Sequence, residues 1–278
     1  MKIRANDIYI NYEINGGGDW LILIHGAGDN LAIWYNQVPV FSKEYNVLTY
    51  DMRGHGLTEV AEGDYTSGVW ADDLYALINE LGVRRASVLG YSLGGMIAAM
   101  LATEHPEMVN ALVLAGVAGA AVGLGDRTVW EERRNAQMAI LEKEGMTGII
   151  KERIHVDSST TFSAGFAEKH TDMIKKYEEA LAISSAAGYR KVLESMGRRG
   201  RPVDFSKIVC PALIIVGEHD RWSGPEAGKV MQQRIAGSEL VVLPTGHACQ
   251  IEEPGAFNEV VLSFLRRAVP QERSAAAP

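Results

Sequence analysis

Apolar and polar positions change period in blocks along the chain. Residues Ile8–Ile14 alternate, and the whole N-terminal stretch MKIRANDIYINYEI shares that period of two, the mark of a strand with one covered face. Trp20–Ile24 (WLILI) is continuously apolar, and shorter β-rich runs follow at Val47–Tyr50, Ser87–Leu89 and Ala111–Leu114. Strands apolar on both sides belong to a parallel sheet covered on two faces. Between them, Leu74, Leu77, Ile78 and Leu81 recur at helical spacing, with Gly82 placed to end the helix.

The strand pattern stops near Val122 and resumes after Val203, with Ala212–Val216 (ALIIV) and Leu240–Leu243 (LVVL). A final helix opens at Pro254 and carries Phe257, Val260, Val261, Phe264 and Leu265 on one stripe. The interval holds three amphipathic helical patterns, Asp126–Gly145, Gly165–Ser184 and Ala186–Gly197, and Gly197–Pro202 (GRRGRP) reads as the return linker. The expected architecture is therefore an α/β core from residues 1–121 and 204–269, a helical insertion over 122–203, and a flexible tail at 270–278.

Composition narrows the partners. With 27 Lys and Arg against 35 Asp and Glu, the net charge of the 278-residue chain is −8, the wrong sign for a nucleic-acid binder. The longest apolar-plus-glycine run, Ala111–Gly125, is shorter than a membrane span and reads as a buried strand entering a loop. No secretory signal opens the chain, so a cytoplasmic protein is expected. Two cysteines, Cys210 and Cys249, fit a reducing compartment and cannot form a multi-ligand zinc site alone, so no metal is expected.

Candidate chemistry sits at the carboxyl ends of predicted strands, where open α/β sheets gather their sites. Gly90-Tyr91-Ser92-Leu93-Gly94 joins a strand to an Ala-rich helix, the context of a nucleophile elbow. The glycines are required because side chains there would collide with neighbouring strand and helix. The turn leaves Ser92 at the positive end of the helix with the Leu93 N–H free to meet an oxyanion. A serine at neutral pH needs a base. Of seven histidines, His247 follows the last strand and completes the chain order serine, acid, histidine. The acid belongs in Gly217-Glu218-His219-Asp220; Asp220 is the first choice and Glu218 the fallback. His25-Gly26-Ala27-Gly28 offers the Ala27 N–H as second oxyanion donor. The same loop lacks a P-loop lysine and the third glycine of a dinucleotide site.

Together HGAG at 25–28, DMRGHG at 51–56, GYSLGG at 90–95, GEHD at 217–220 and GHACQIEEP at 246–254 resemble the α/β-hydrolase superfamily, most of all its branch of carboxylesterases, enol-lactonases and cofactor-free perhydrolase-like enzymes. The resemblance covers both sheet blocks and not the insertion. It implies an eight-stranded, mostly parallel sheet, a helical cap after the sixth strand, and hydrolysis of a small-molecule ester or lactone with no cofactor. It also implies that Asp51, Arg53 and His55 are scaffold near the site. Dehalogenases and epoxide hydrolases of the superfamily carry aspartate at the elbow, against Ser92 here. Carbon–carbon bond hydrolases carry tryptophan where this chain has Ala248, yet such a hydrolase, or a hydrolase-like ligand receptor, stays open as an alternative. So do an acyl acceptor other than water and a monomeric or homodimeric state.

A pocket between sheet and cap would be mostly apolar with few polar anchors. Trp34, Tyr91, Trp130, His155, Arg221 and Trp222 are the candidate substrate contacts, while Arg127, Glu131, Glu132, Arg133 and Arg134 read as a solvated helix face. Cys249 reads as a packed thiol.

Overall fold

Eight strands form one sheet in this computed structural model, which describes residues 1–117, 123, 127–155, 161–196, 198 and 200–269. They are β1 (Lys2–Ala5), β2 (Ile8–Gly16), β3 (Trp20–Ile24), β4 (Asn46–Tyr50), β5 (Ala86–Tyr91), β6 (Val109–Ala115), β7 (Ala212–Gly217) and β8 (Glu239–Leu243). The spatial order is β1-β2-β4-β3-β5-β6-β7-β8. All pairings from β4 across to β8 are parallel, and β2 runs antiparallel to both its neighbours. The alternating N-terminal segment is a hairpin rather than one strand. Asn6 and Asp7 take φ of 46° and 69° and reverse the chain between β1 and β2, a conformation those two side chains tolerate.

Helices cover both faces: α1 (Val38–Phe41), α2 (Ser67–Glu80), α3 (Leu93–Glu104), α4 (Arg127–His155), α5 (Phe166–Lys169), α6 (Thr171–Leu181), α7 (Ala186–Met196), α8 (Pro225–Arg234), α9 (Cys249–Glu252) and α10 (Pro254–Ala268). Because strand side chains alternate, Ile22, Ile24, Val88 and Leu112 share a core with Leu74 and Leu77 of α2 and Ile97 of α3. Their neighbours Leu21, Leu23, Leu89 and Val113 pack with Phe41, Phe257 and Val261 on the other side. Each such side chain contributes about 1.5–3 kcal/mol on full burial.

Helices α4 to α7 lie between β6 and β7. The sequence pattern stops its first helix at Gly145, and there the backbone does leave helical geometry (φ 64°, ψ −158°). A second helical arm over residues 146–155 then continues, which the pattern did not mark. The insertion joins both cores: Leu141, Ile149 and Leu193 enter the first, Ile154, Ile174 and Tyr177 the second. It rests on the loops that follow the carboxyl ends of β3 and β4. Asn30 Nδ2 donates to the Ala180 carbonyl at 2.6 Å, and the Gly56 N–H donates to Ser184 Oγ at 3.2 Å. Residues 270–278, expected as a tail, and parts of the expected linker at 197–202 lie outside the described residues. Among the described residues, no helix is long and apolar enough to cross a membrane.

Candidate active site

The turn between β5 and α3 sets the site. Ser92 has φ 53° and ψ −117°, a conformation rare for any residue bearing a side chain. Two backbone bonds hold it there: Ser92 N–H donates to the Ala115 carbonyl at 2.8 Å, and Gly95 N–H donates to the Ser92 carbonyl at 3.0 Å. The flanking glycines let the backbones meet. A Cβ on Gly90 would stand 2.6 Å from Gly95 Cα, and one on Gly94 would stand 2.5 Å from the His25 carbonyl oxygen. Leu93 is the first residue of α3, so no intrahelical bond uses its N–H.

His247, from the loop after β8, brings Nε2 to 3.0 Å from Ser92 Oγ. On the other side of the ring, Nδ1 lies 2.7 Å from Asp220 Oδ2, with Ser223 Oγ at 3.3 Å. Asp220 follows β7 and is buried; its Oδ1 accepts the N–H groups of Trp222 at 2.8 Å and Ser223 at 3.1 Å. Burial works to raise the Asp220 carboxyl, but the attraction and hydrogen bond of His247, with those two N–H groups, hold it below the ordinary carboxylate value. An ionised Asp220 places the imidazole proton on Nδ1 and leaves the Nε2 lone pair facing the serine hydroxyl. Glu218, the fallback acid, is exposed and is not among the partners of the ring. Ser223, fixed by donating to the Gly116 carbonyl at 2.9 Å, was not singled out by the sequence; its only signal is its place three residues past Asp220.

The glycine-rich loop after β3 carries Ala27. His25 accepts the Met52 N–H on Nε2 at 3.0 Å, so its proton sits on Nδ1, 2.8 Å from the Gly26 carbonyl. Burial lowers the pKa of His25, and of His55 still further, so both imidazoles are neutral scaffold. Asp51 holds the Leu31 and Leu57 N–H groups at 2.7 and 2.8 Å, and Arg53 grips Asp73 with two bonds of 2.8 and 2.7 Å. Next to the glycine-rich loop the insertion drives in a charge. Arg153 donates to Asp29 Oδ1 at 2.8 Å, to Tyr177 Oη at 2.8 Å and to the Ala27 carbonyl at 3.2 Å. Arg153 and Asp29 went unmarked in the sequence; the one available signal was a carboxylate directly after His25-Gly26-Ala27-Gly28.

The candidate substrate contacts separate. Tyr91 lies beside His247, ring centroids 5.1 Å apart. Trp130 of α4 and Trp222 of the Asp220 loop meet at 4.7 Å, both half-buried. Arg133 lies over the Trp222 ring at 5.0 Å, which corrects its reading as a solvated charge; the Arg127 side chain lies outside the described residues. Trp34 is wholly buried on a 3₁₀ turn packed against α6 of the insertion, in the cluster that also holds Tyr91 and Tyr177. Two other expectations need correction. His155 is exposed at the end of α4 and bonds Glu178 at 2.9 Å, and Arg221 is exposed as well. Cys249 is buried, its thiol pushed up to about 12 by burial. Among the described residues, no group of three or more His, Cys, Asp and Glu is arranged to hold a metal ion.

A mostly parallel sheet presenting a strained serine between a strand and a helix defines a class of hydrolases, and sequence comparison agrees. The family described as alpha/beta hydrolase fold matches residues 19–254, and the chain belongs to it. It is 30% identical to the 3-oxoadipate enol-lactonase 2 of Acinetobacter baylyi, over 95% of this chain and 96% of that one. Among solved structures it is similar to the enol-lactonase from Burkholderia xenovorans LB400, with TM-score 0.84, 28% identity, and 95% of this chain and 99% of that chain covered. A thermophilic esterase from Thermogutta terrifontis also superposes with TM-score 0.84, at 26% identity, over 96% of this chain and 98% of the other.

Proposed function

We propose that the protein hydrolyses a carboxylic ester or lactone of a small molecule through Ser92, His247 and Asp220. The observation that carries the reading is the unbroken line from Asp220 Oδ2 through the imidazole to Ser92 Oγ, with separations of 2.7 and 3.0 Å. His247 Nε2 takes the hydroxyl proton as Oγ attacks the substrate carbonyl, and the N–H groups of Ala27 and Leu93 bind the developing oxyanion. Collapse of the tetrahedral intermediate expels the alcohol oxygen, which receives the proton from Nε2. Water, deprotonated by the same nitrogen, then attacks the acyl-enzyme; the acid leaves and Ser92 regains its proton. Asp220 stays ionised throughout, fixing the tautomer and stabilising the imidazolium. The enol-lactonase and esterase names of the relatives support the ester or lactone class.

In this reading the insertion is the cap, and the substrate lies between it and the sheet, near Tyr91, Trp130 and Trp222. Replacing Ser92 by alanine and assaying p-nitrophenyl esters of graded acyl length tests the mechanism. Turnover should fall on the order of 10⁶-fold, and a fluorophosphonate probe should label the parent and not the variant. A variant as active as the parent refutes the mechanism. Much faster turnover of a vinylogous diketone than of any ester would move the activity to carbon–carbon bond cleavage.

A further inference from the structure

His247 must hold its Nε2 within hydrogen-bond reach of Ser92, yet it sits on a loop between β8 and α9, not on a rigid element. Two walls confine that loop. On the acid side, the Glu218 and His219 N–H groups donate to the Leu243 and Thr245 carbonyls at 2.7 and 2.9 Å. On the other side the insertion presses residues 161–163 against it. Ala248 N–H donates to the Thr161 carbonyl at 2.8 Å, and a Cβ on Gly246 would stand 2.5 Å from the carbonyl carbon of Phe162.

One buried side chain joins loop and insertion. Glu252, at the end of α9, accepts the Gly246 N–H on Oε1 at 2.6 Å. Its Oε2 accepts Ser163 N–H at 3.1 Å and Ser163 Oγ–H at 2.5 Å. Gly246 is the residue immediately before His247, so the Glu252 carboxylate fixes the Thr245–Gly246 peptide that leads into the histidine. The triad as described makes no use of Glu252, and no other role is visible for a carboxylate 6% exposed whose acceptor bonds run to two main-chain N–H groups and a hydroxyl.

We infer that Glu252 is a positioning residue for His247, clamping the histidine loop to the helical insertion through the Gly246 N–H and Ser163. The inference rests on His247 acting as the base. Both oxygens are used as acceptors. A glutamine in the same place keeps one acceptor and turns a pair of donors toward either the Gly246 or the Ser163 N–H, so one half of the clamp is lost. A shift of about 1 Å at a reacting group costs on the order of 10²-fold in rate.

The test compares E252Q, E252A, S92A and E253Q on one p-nitrophenyl ester. Glu253 is the exposed neighbour and serves as the control. In E252Q, kcat should fall about 10- to 100-fold with KM within about threefold, while the thermal midpoint falls by only about 2–6 °C relative to E253Q and the protein stays folded at the assay temperature. Fluorophosphonate labelling of Ser92 should slow in proportion. A surface recess lined by Ser163, Phe166, Lys169, Pro244 and Glu252 gives small anions a route to the place of the carboxylate. Added formate should therefore raise kcat of E252A in a saturable way and leave S92A inert. E252Q with the kcat of the parent, beside an inactive S92A, overturns the inference and spares the triad. An inactive, folded E252A that formate does not help overturns it too, as does an E252Q whose loss merely tracks unfolding. An active S92A would instead remove the triad reading beneath it.

Discussion

Replacing Arg153 by methionine isolates a charge. Arg153 is 7% and Asp29 1% exposed, so the guanidinium neutralises a carboxylate that water does not reach. Methionine keeps the apolar stem and removes the donor contacts to Asp29, Tyr177 and the Ala27 carbonyl. Asp29 would retain Tyr177 Oη–H, 3.0 Å away, against a full negative charge. Breaking a buried pair from one side costs about 3–5 kcal/mol, because the remaining charge stays desolvated. At about 2 °C per kcal/mol for a chain of this size, the thermal midpoint should fall by roughly 6–10 °C. Calorimetry and urea unfolding of R153M, D29N and the double variant complete a cycle. The double variant, which buries no lone charge, should recover at least half of the R153M loss. A loss under about 1 kcal/mol in R153M, or strictly additive losses in the double variant, would refute the reasoning.

Further outcomes follow from the same geometry. D220N should lower kcat by about 10⁴-fold, by leaving the imidazole in the wrong tautomer. The depressed Asp220 carboxyl contributes stability that is fully present above about pH 4 and lost as pH falls through its folded-state value; D220N should lack that acid-limb dependence in unfolding titrations, and an unchanged limb would count against it. G94A should destabilise by about 1–3 kcal/mol and cut activity, because its Cβ meets the main chain of β3, which cannot yield. G255A, with open space around it in α10, should be neutral or gain up to about 1 kcal/mol by thermal melt. The Cys249 thiol, held up at about 12, and the Cys210 thiol, at about 11, should both resist a disulfide reagent at pH 8 until the protein unfolds, and rapid reaction of the native chain would contradict that burial.

The parts legible in the sequence are those fixed by local geometry. A serine between strand and helix needs glycines at fixed offsets, so Gly90, Ser92 and Gly94 announced their turn. The order of loops along a parallel sheet then pointed to Asp220 and His247, because consecutive strand ends lie side by side. What stayed hidden depends on distant partners. Arg153 and Asp29 are far apart in the chain, and nothing near either marks the other as its counterion. Glu252 lies on a helix of four residues, too short to show a face. The arm at residues 146–155 was missed because a glycine that breaks a helix also allows a second one to begin.

The insertion grips the loops after β3, β4 and β8, and this limits how such enzymes can be recombined. A graft of residues 122–203 from another member of the fold must supply an arginine to meet Asp29 and a backbone that braces the histidine as residues 161–163 do. A chimera whose graft lacks both should lose turnover even on substrates the donor accepts, and regain it when the residues at 29 and 252 travel with the graft. The insertion and the histidine loop are thus held as one mechanical unit in this chain.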